Sequence, residues 1–192
     1  MTNGDQALAK ADAACINVNL NFNFKYGNTY SNCCININGY ITFDAPSYSL
    51  IPSYQYFIAP FSHNLATNIN GNIFYRSTRN SHTLNLIGQE INSLKYSNTV
   101  NYMPTNAFIV TWDTVASADT QPNPYASFQI ILSTDGSNSF LTINYGTLGF
   151  TADYGYFFQY GSTKFTLTNP KYSSNVGVNG KWIFSIRMLL II

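Results

Sequence analysis

The sequence predicts a mainly β fold, an antiparallel two-layer β-sandwich with one covering α-helix over residues 84–95. Three observations predict it. Four turn pairs, Asn38-Gly39, Asn70-Gly71, Asp135-Gly136 and Asn179-Gly180, each stand between apolar runs. Such pairs meet the positive-φ demand of two-residue hairpin turns at least cost. Ile16, Val18, Leu20, Phe22 and Phe24 alternate with Asn17, Asn19, Asn21 and Asn23, and period two marks a strand with one buried and one wet face. Hydrophobic residues make up 45% of 192 residues, enough for one domain to bury a full core without staples.

The elements follow in order. Residues 1–14, polar and then alanine-rich, read as a flexible lead, and 15–192 as a single β domain. After the alternating strand 16–24 come a turn at Tyr26-Gly27-Asn28, a strand over 32–37, the Asn38-Gly39 turn and a partner strand over 40–43. Residues 44–56 carry two prolines with many Ser and Tyr and form a loop. A short buried strand over 57–61, a polar loop and a strand over 72–76 follow. Leu84, Ile87, Ile91 and Leu94 then share one face at helical spacing, with Ser81 or Thr83 as cap, Lys95 at the C-terminal end and Gly88 weakening the middle. Residues 107–112 are β-branched and apolar, a central strand, and 116–124 are a loop with two prolines. The hairpin 126–132 and 139–145 turns at Asp135-Gly136. Strands over 154–160 and 164–167 surround Gly161, and the last strand opens at Lys181. That strand belongs to the apolar run 182–192, which is too short to span a bilayer as a helix.

Charged residues are only 9% of the chain and the net charge is +1, so there is no field to hold a polyanion and nucleic-acid binding is unsupported. Asn takes the place of charge: 25 Asn stand against 8 Asp plus Glu. Amides solvate an outer strand face without like-charge repulsion, and they protect weakly against association. None of the Asn lies in an Asn-x-Ser/Thr triplet, so a passage through a glycosylating compartment would leave the surface bare. No apolar leader opens the chain, and membrane contact is not expected.

Chemistry-bearing motifs are missing. His63 and His82 have no metal-ligand spacing, Glu90 is the sole Glu and reads as solvated, and no nucleophile elbow or phosphate loop occurs. The sequence therefore predicts no enzyme, no cofactor and no metal. Cys15, Cys33 and Cys34 lack zinc-type spacing. Cys33 and Cys34, neighbours on one strand, face opposite ways. Two readings stay open: a bridge from Cys15 to one of them, with the leftover thiol able to cross-link chains, or three reduced, partly buried thiols, which is the simpler expectation. Trp112 and Trp182 sit in apolar runs and read as core, whereas Tyr48, Tyr54 and Tyr56 are the candidate contact surface in the 44–56 loop.

Several of these segments resemble, in order, the nidogen-type extracellular (NIDO) domain: Lys25–Tyr30 with Ile35–Phe43, Ile58–Phe61, Gly71–Arg76, Phe108–Val115, Phe128–Ser137 with Ile143–Gly146, and Ser174–Phe184. The family is known from nidogen, tectorin and membrane mucins. The resemblance implies a secreted or cell-surface module without catalytic or metal residues. With it goes a structural or adhesive role beside matrix proteins, and the low charge and the Asn-alternating strand 16–24 add other copies of the chain as expected partners. The alternative is a carbohydrate-binding sandwich that stacks glycans on its loop tyrosines.

Overall fold

The computed structural model describes residues 4–12, 14–52, 54–94 and 101–187. Thirteen strands and one helix appear there in the order β1 (Gln6–Ala7), β2 (Cys15–Tyr26), β3 (Asn28–Asn36), β4 (Tyr40–Thr42), β5 (Tyr56–Ser62), β6 (Leu65–Ala66), β7 (Asn72–Thr78), α1 (Ser81–Ser93), β8 (Asn106–Ser117), β9 (Tyr125–Thr134), β10 (Ser139–Leu148), β11 (Gly155–Tyr160), β12 (Thr163–Thr166) and β13 (Lys181–Ser185). They form two antiparallel sheets. One runs β1-β7-β8-β9-β10-β13, with β6 beside β8, and the other runs β12-β11-β5-β4-β3-β2. The predicted sandwich is what forms.

Three apolar layers result from the alternation of side chains along each strand. The main core lies between the sheets, where Phe108, Val110 and Trp112 of β8 meet Phe24, Ile35, Ile58 and Phe61. Trp112 is fully buried, stacks on Phe128 with ring centroids 4.9 Å apart, and donates its Nε1–H to Asn36 O at 3.2 Å. One side chain thus ties the two sheets together. A second layer holds α1 on the outer face of the first sheet through Leu84, Ile87 and Ile91, packed with Tyr102, Ala107, Phe140 and Ile183. On the outer face of the second sheet, Tyr40, Phe57, Ala59 and Phe157 form a third layer with Tyr54 against them.

The helix starts three residues before the apolar periodicity does. Asn80 caps it, its Oδ1 accepting Thr83 N–H at 3.0 Å; an Asn in extended backbone does this as well as Ser or Thr. Gly88 is not simply a weak point, because a Cβ there would stand 3.1 Å from Tyr102 O and Pro104. Glu90, expected to be solvated, instead pairs with Lys181 of β13. Lys95 and residues 188–192 lie outside the described residues.

The four turn pairs depart from the two-residue hairpin. Gly39, Gly71, Gly136 and Gly180 all have positive φ, but Asn38, Asn70, Asp135 and Asn179 do not. Glycine alone carries the left-handed conformation, and at Asn38, Asn70 and Asp135 the preceding side chain adds hydrogen bonds. At the β9–β10 turn Asp135 Oδ1 accepts the N–H groups of Ser137 at 2.8 Å and Asn138 at 2.7 Å, and Oδ2 accepts the Asn138 amide at 2.9 Å. Burial pushes this carboxyl up, but the bonds to Asn138 and Ser137 more than offset it and hold it below its ordinary value. A lowered folded-state pKa stabilises above the unfolded carboxylate range, and the benefit is lost as pH falls through the folded value. We expect Asp135→Ala to cost about 1–2 kcal/mol at neutral pH. In urea titrations its difference from the parent protein should shrink as pH falls below about 4; a constant difference would contradict this.

Residues 4–12 do not hang free as a lead. β1 pairs with β7, Leu8 N–H reaches Ile73 O at 2.9 Å and Thr67 N–H reaches Ala11 O at 2.9 Å, while Leu8, Ala11 and Ala14 pack on the main core. Small and polar residues give no periodicity to read, and backbone bonds do the docking.

Candidate contact surface and histidine cluster

β2 is the last strand of its sheet, so one side of its backbone has no strand partner. Its inward residues Val18, Leu20, Phe24 and Tyr26 are buried. Asn17, Asn19, Asn21, Asn23 and Lys25 point outward and are exposed. Asn32 of β3 lies opposite Asn19 and its amide reaches Asn17 Oδ1 at 3.4 Å, which starts an amide patch across two strands. The register with β3 breaks between Asn19 and Phe24. There Asn21 adopts φ 61°, with its N–H held by Asn19 Oδ1 at 2.7 Å. Asn tolerates this left-handed bulge better than most residues. A groove of about 380 Å³ opens beside the bulge, lined by Leu20, Asn21, Phe22, Ser77 and Arg79 among others. The alternation showed the strand; nothing in it showed the bulge or the edge position.

The three candidate contact tyrosines do not share an open face. Tyr48 is 70% exposed. Tyr54 turns in against the third apolar layer and donates to Pro46 O at 2.9 Å. Tyr56 belongs to β5, not to the loop, and packs edge-on to Tyr26 and Tyr160 at centroid distances of 6.1 and 5.6 Å. The loop folds over the outer sheet face because Tyr40 and Asn36 anchor it: Tyr40 Oη donates to Ser49 O at 2.5 Å and the Asn36 amide to Ser47 O at 2.6 Å.

The thiols are not all reduced. Cys15 and Cys34, on the paired strands β2 and β3, are joined by a disulfide with Cα atoms 5.6 Å apart. Cys33, on the opposite face, is free and buried in the main core, where burial pushes its thiol well above the ordinary range. A thiol so placed cannot reach a second chain, so the cross-link allowed by the odd cysteine count does not arise from the folded state. We expect native protein to be inert to a thiol reagent and to yield one reactive thiol after unfolding without reductant; rapid native labelling would contradict the burial.

The sequence motifs miss one cluster entirely. His63 follows β5, Asp119 follows β8 and Asp153 precedes β11, and they converge so that one potential ligand atom from each lies within 4.8 Å of the others. His63 is 2% exposed and its ring sits 4.6 Å from that of Phe150. Its Nε2 is 2.8 Å from Ser117 Oγ and its Nδ1 is 3.2 Å from Asp153 Oδ2. Burial pushes the imidazole below its ordinary pKa, and the Asp153 and Asp119 carboxylates oppose that. The members stand in loops 34 to 90 residues apart in sequence, so no local spacing could reveal them.

Ser117, His63 and Asp153 follow the order of a hydrolytic triad with its burial inverted. A nucleophilic serine must face substrate while its carboxylate is sheltered. Here Ser117 has no exposed surface and its Oγ is engaged by Asp119 N–H at 3.2 Å and Thr120 Oγ1 at 3.3 Å, while the Asp153 side chain is 55% exposed. In this arrangement no acyl group can reach the hydroxyl.

Comparison with known proteins adds a family. Residues 31–155 match the model of the nidogen-like domain. Alpha-tectorin of Gallus gallus is 27% identical over 189 residues, covering 82% of this chain and 9% of that protein. Alpha-tectorin of Mus musculus is 27% identical over 195 residues, with 85% and 9% covered. Dendrite extension defective protein 1 of Caenorhabditis elegans is 27% identical over 184 residues, with 87% and 16% covered. The chain thus spans a small part of the relatives it matches. No solved structure gives a significant match.

Proposed function

Since the chain belongs to the nidogen-like domain family, we propose that it is a non-catalytic structural and adhesive module of a secreted or cell-surface protein, acting through contact with copies of itself or with matrix proteins. The observation that carries the reading is the edge strand β2, last in its sheet, with Asn17, Asn19, Asn21 and Asn23 exposed in a row and no charge before Lys25. Ser77 Oγ and Arg79 Nη2 reach Asn19 O and Asn21 O at 3.5 Å, but over Cys15–Val18 the edge has no strand partner and an uncharged outer face. Such an edge lacks the usual protection against strand addition, and the same features serve recognition by β-augmentation. The bulge at Asn21 limits regular pairing to the Cys15–Asn19 half of the strand. The tyrosine geometry favours this surface over sugar stacking, since only Tyr48 of the three stands open. No helix of the described residues is long and apolar enough to cross a membrane.

Sedimentation velocity on the intact chain tests the reading. Species heavier than the monomer should grow with concentration, and a triple variant with Asn17→Lys, Asn19→Lys and Asn32→Lys should remain monomeric, because like charges then face each other across the contact. A parent protein monomeric up to millimolar concentration, or a variant that associates equally well, would refute it.

A further inference from the structure

We propose that His63, Asp119 and Asp153 form a binding site for a zinc-type divalent cation that clips three loops together at one end of the sandwich. Two of the chain's 8 acidic residues converge on one of its 2 histidines, a marked concentration in a protein this poor in charge. Among the described residues no Lys or Arg ion-pairs with either carboxylate; the one basic partner is His63, beside Asp153, and it carries charge only if protonated.

The geometry suits a small cation. Zinc bonds of about 2.0–2.1 Å in a tetrahedron place ligand atoms about 3.3 Å apart, and His63 Nδ1 and Asp153 Oδ2 are 3.2 Å apart already. Asp119 completes the set within 4.8 Å. As an exposed residue, it has room to close in.

Two of the three groups also have the outer partner that metal ligands use to fix their orientation. Ser117 Oγ lies 2.8 Å from His63 Nε2. With the proton on that nitrogen, Nδ1 is the acceptor, and the Asp153 N–H approaches it at 3.4 Å, a long contact that a bound ion would replace. The Asn64 amide holds Asp119 Oδ1 at 2.7 Å, which leaves Oδ2 for the ion. One imidazole nitrogen with two carboxylates selects zinc-like ions over calcium, which takes six to eight oxygens. Water fills the fourth position. With Ser117 buried behind the histidine, the ion acts as a structural clip, independent of the contact made by β2.

The test is calorimetric titration of the metal-stripped full chain, free of any histidine tag, with zinc chloride and separately with calcium chloride, alongside NMR of the histidine rings. One equivalent of zinc should bind, with ring signals moving at His63 and not at His82, and the melting temperature should rise. The double variant Asp119→Asn with Asp153→Asn alters only exposed side chains and should fold. It should lose zinc affinity by more than the roughly 10–100-fold that removal of an outer partner costs. Absence of saturable zinc binding, undiminished binding in the double variant, or uptake of calcium in place of zinc would each overturn the proposal.

Discussion

Gly39→Ala is expected to be among the most damaging single substitutions in this protein, costing about 4 kcal/mol or more. Gly39 has φ 87°, and a Cβ there would lie 1.9 Å from Phe61 O and 3.2 Å from the Phe128 ring. The Phe61 carbonyl is backbone of β5, so relief would require the strand itself to shift and not just a side chain. The Asn38-Gly39 turn is itself buried: Asn38 O accepts His63 N–H at 3.3 Å and Asn38 Oδ1 accepts Leu65 N–H at 3.1 Å. Distortion there would therefore spread to β5 and β6. Gly136 is the internal control. Its φ is 94° but a Cβ added there would meet nothing within 4 Å, so Gly136→Ala should cost only the backbone penalty, about 1–2 kcal/mol. Urea denaturation of both variants checks the contrast, and equal losses would mean that the close approach to Phe61 is wrong.

Trp112→Ala should cost about 3–5 kcal/mol. The indole is fully buried, and its loss opens a cavity beside Phe128 and strips the Asn36 carbonyl of its donor. Trp112→Phe keeps much of the volume and loses the N–H, so it should fall between the parent and the alanine variant, at about 1–3 kcal/mol. Trp182 is only partly buried, on the edge strand β13, with Nε1–H on Pro170 O at 3.0 Å. Trp182→Ala should therefore be clearly milder. Equilibrium unfolding of the three variants decides this, and a Trp182 loss as large as that of Trp112 would contradict the cross-sheet role.

Much of the architecture could be read from the residues because burial writes a simple period into them. Val18, Leu20 and Phe24 face the core at every second position along β2, and Leu84, Ile87 and Ile91 face it at helical spacing along α1. What could not be read depends on partners distant in the chain. The alternation at Asn21 looks the same with or without a bulge. The choice of Cys34 over Cys33 for Cys15 depends on the register between β2 and β3, which puts Cys15 and Cys34 on one face and Cys33 beside Val18 in the core. The docking of residues 4–12 rests on backbone bonds that leave no side-chain signature. His63, Asp119 and Asp153 look like isolated loop residues until β5, β8 and β11 bring their ends together. Of the Asn-Gly and Asp-Gly pairs, Asn38-Gly39 and Asp135-Gly136 join paired antiparallel strands. Asn70-Gly71 instead lies between β6 and β7, which run in the same direction along β8, and Asn179-Gly180 leads from a loop into β13. None has the two-residue geometry, because Gly alone carries the positive φ.

If β2 is a surface made for contact, its backbone amides must register the contact. Hydrogen–deuterium exchange, compared between dilute and concentrated protein, examines that strand directly. Added protection at high concentration should fall on the amides of 15–19 and spare those of β12 and β13 at the opposite edges. Exchange along β2 that does not change with concentration, or protection gained only elsewhere, would contradict it.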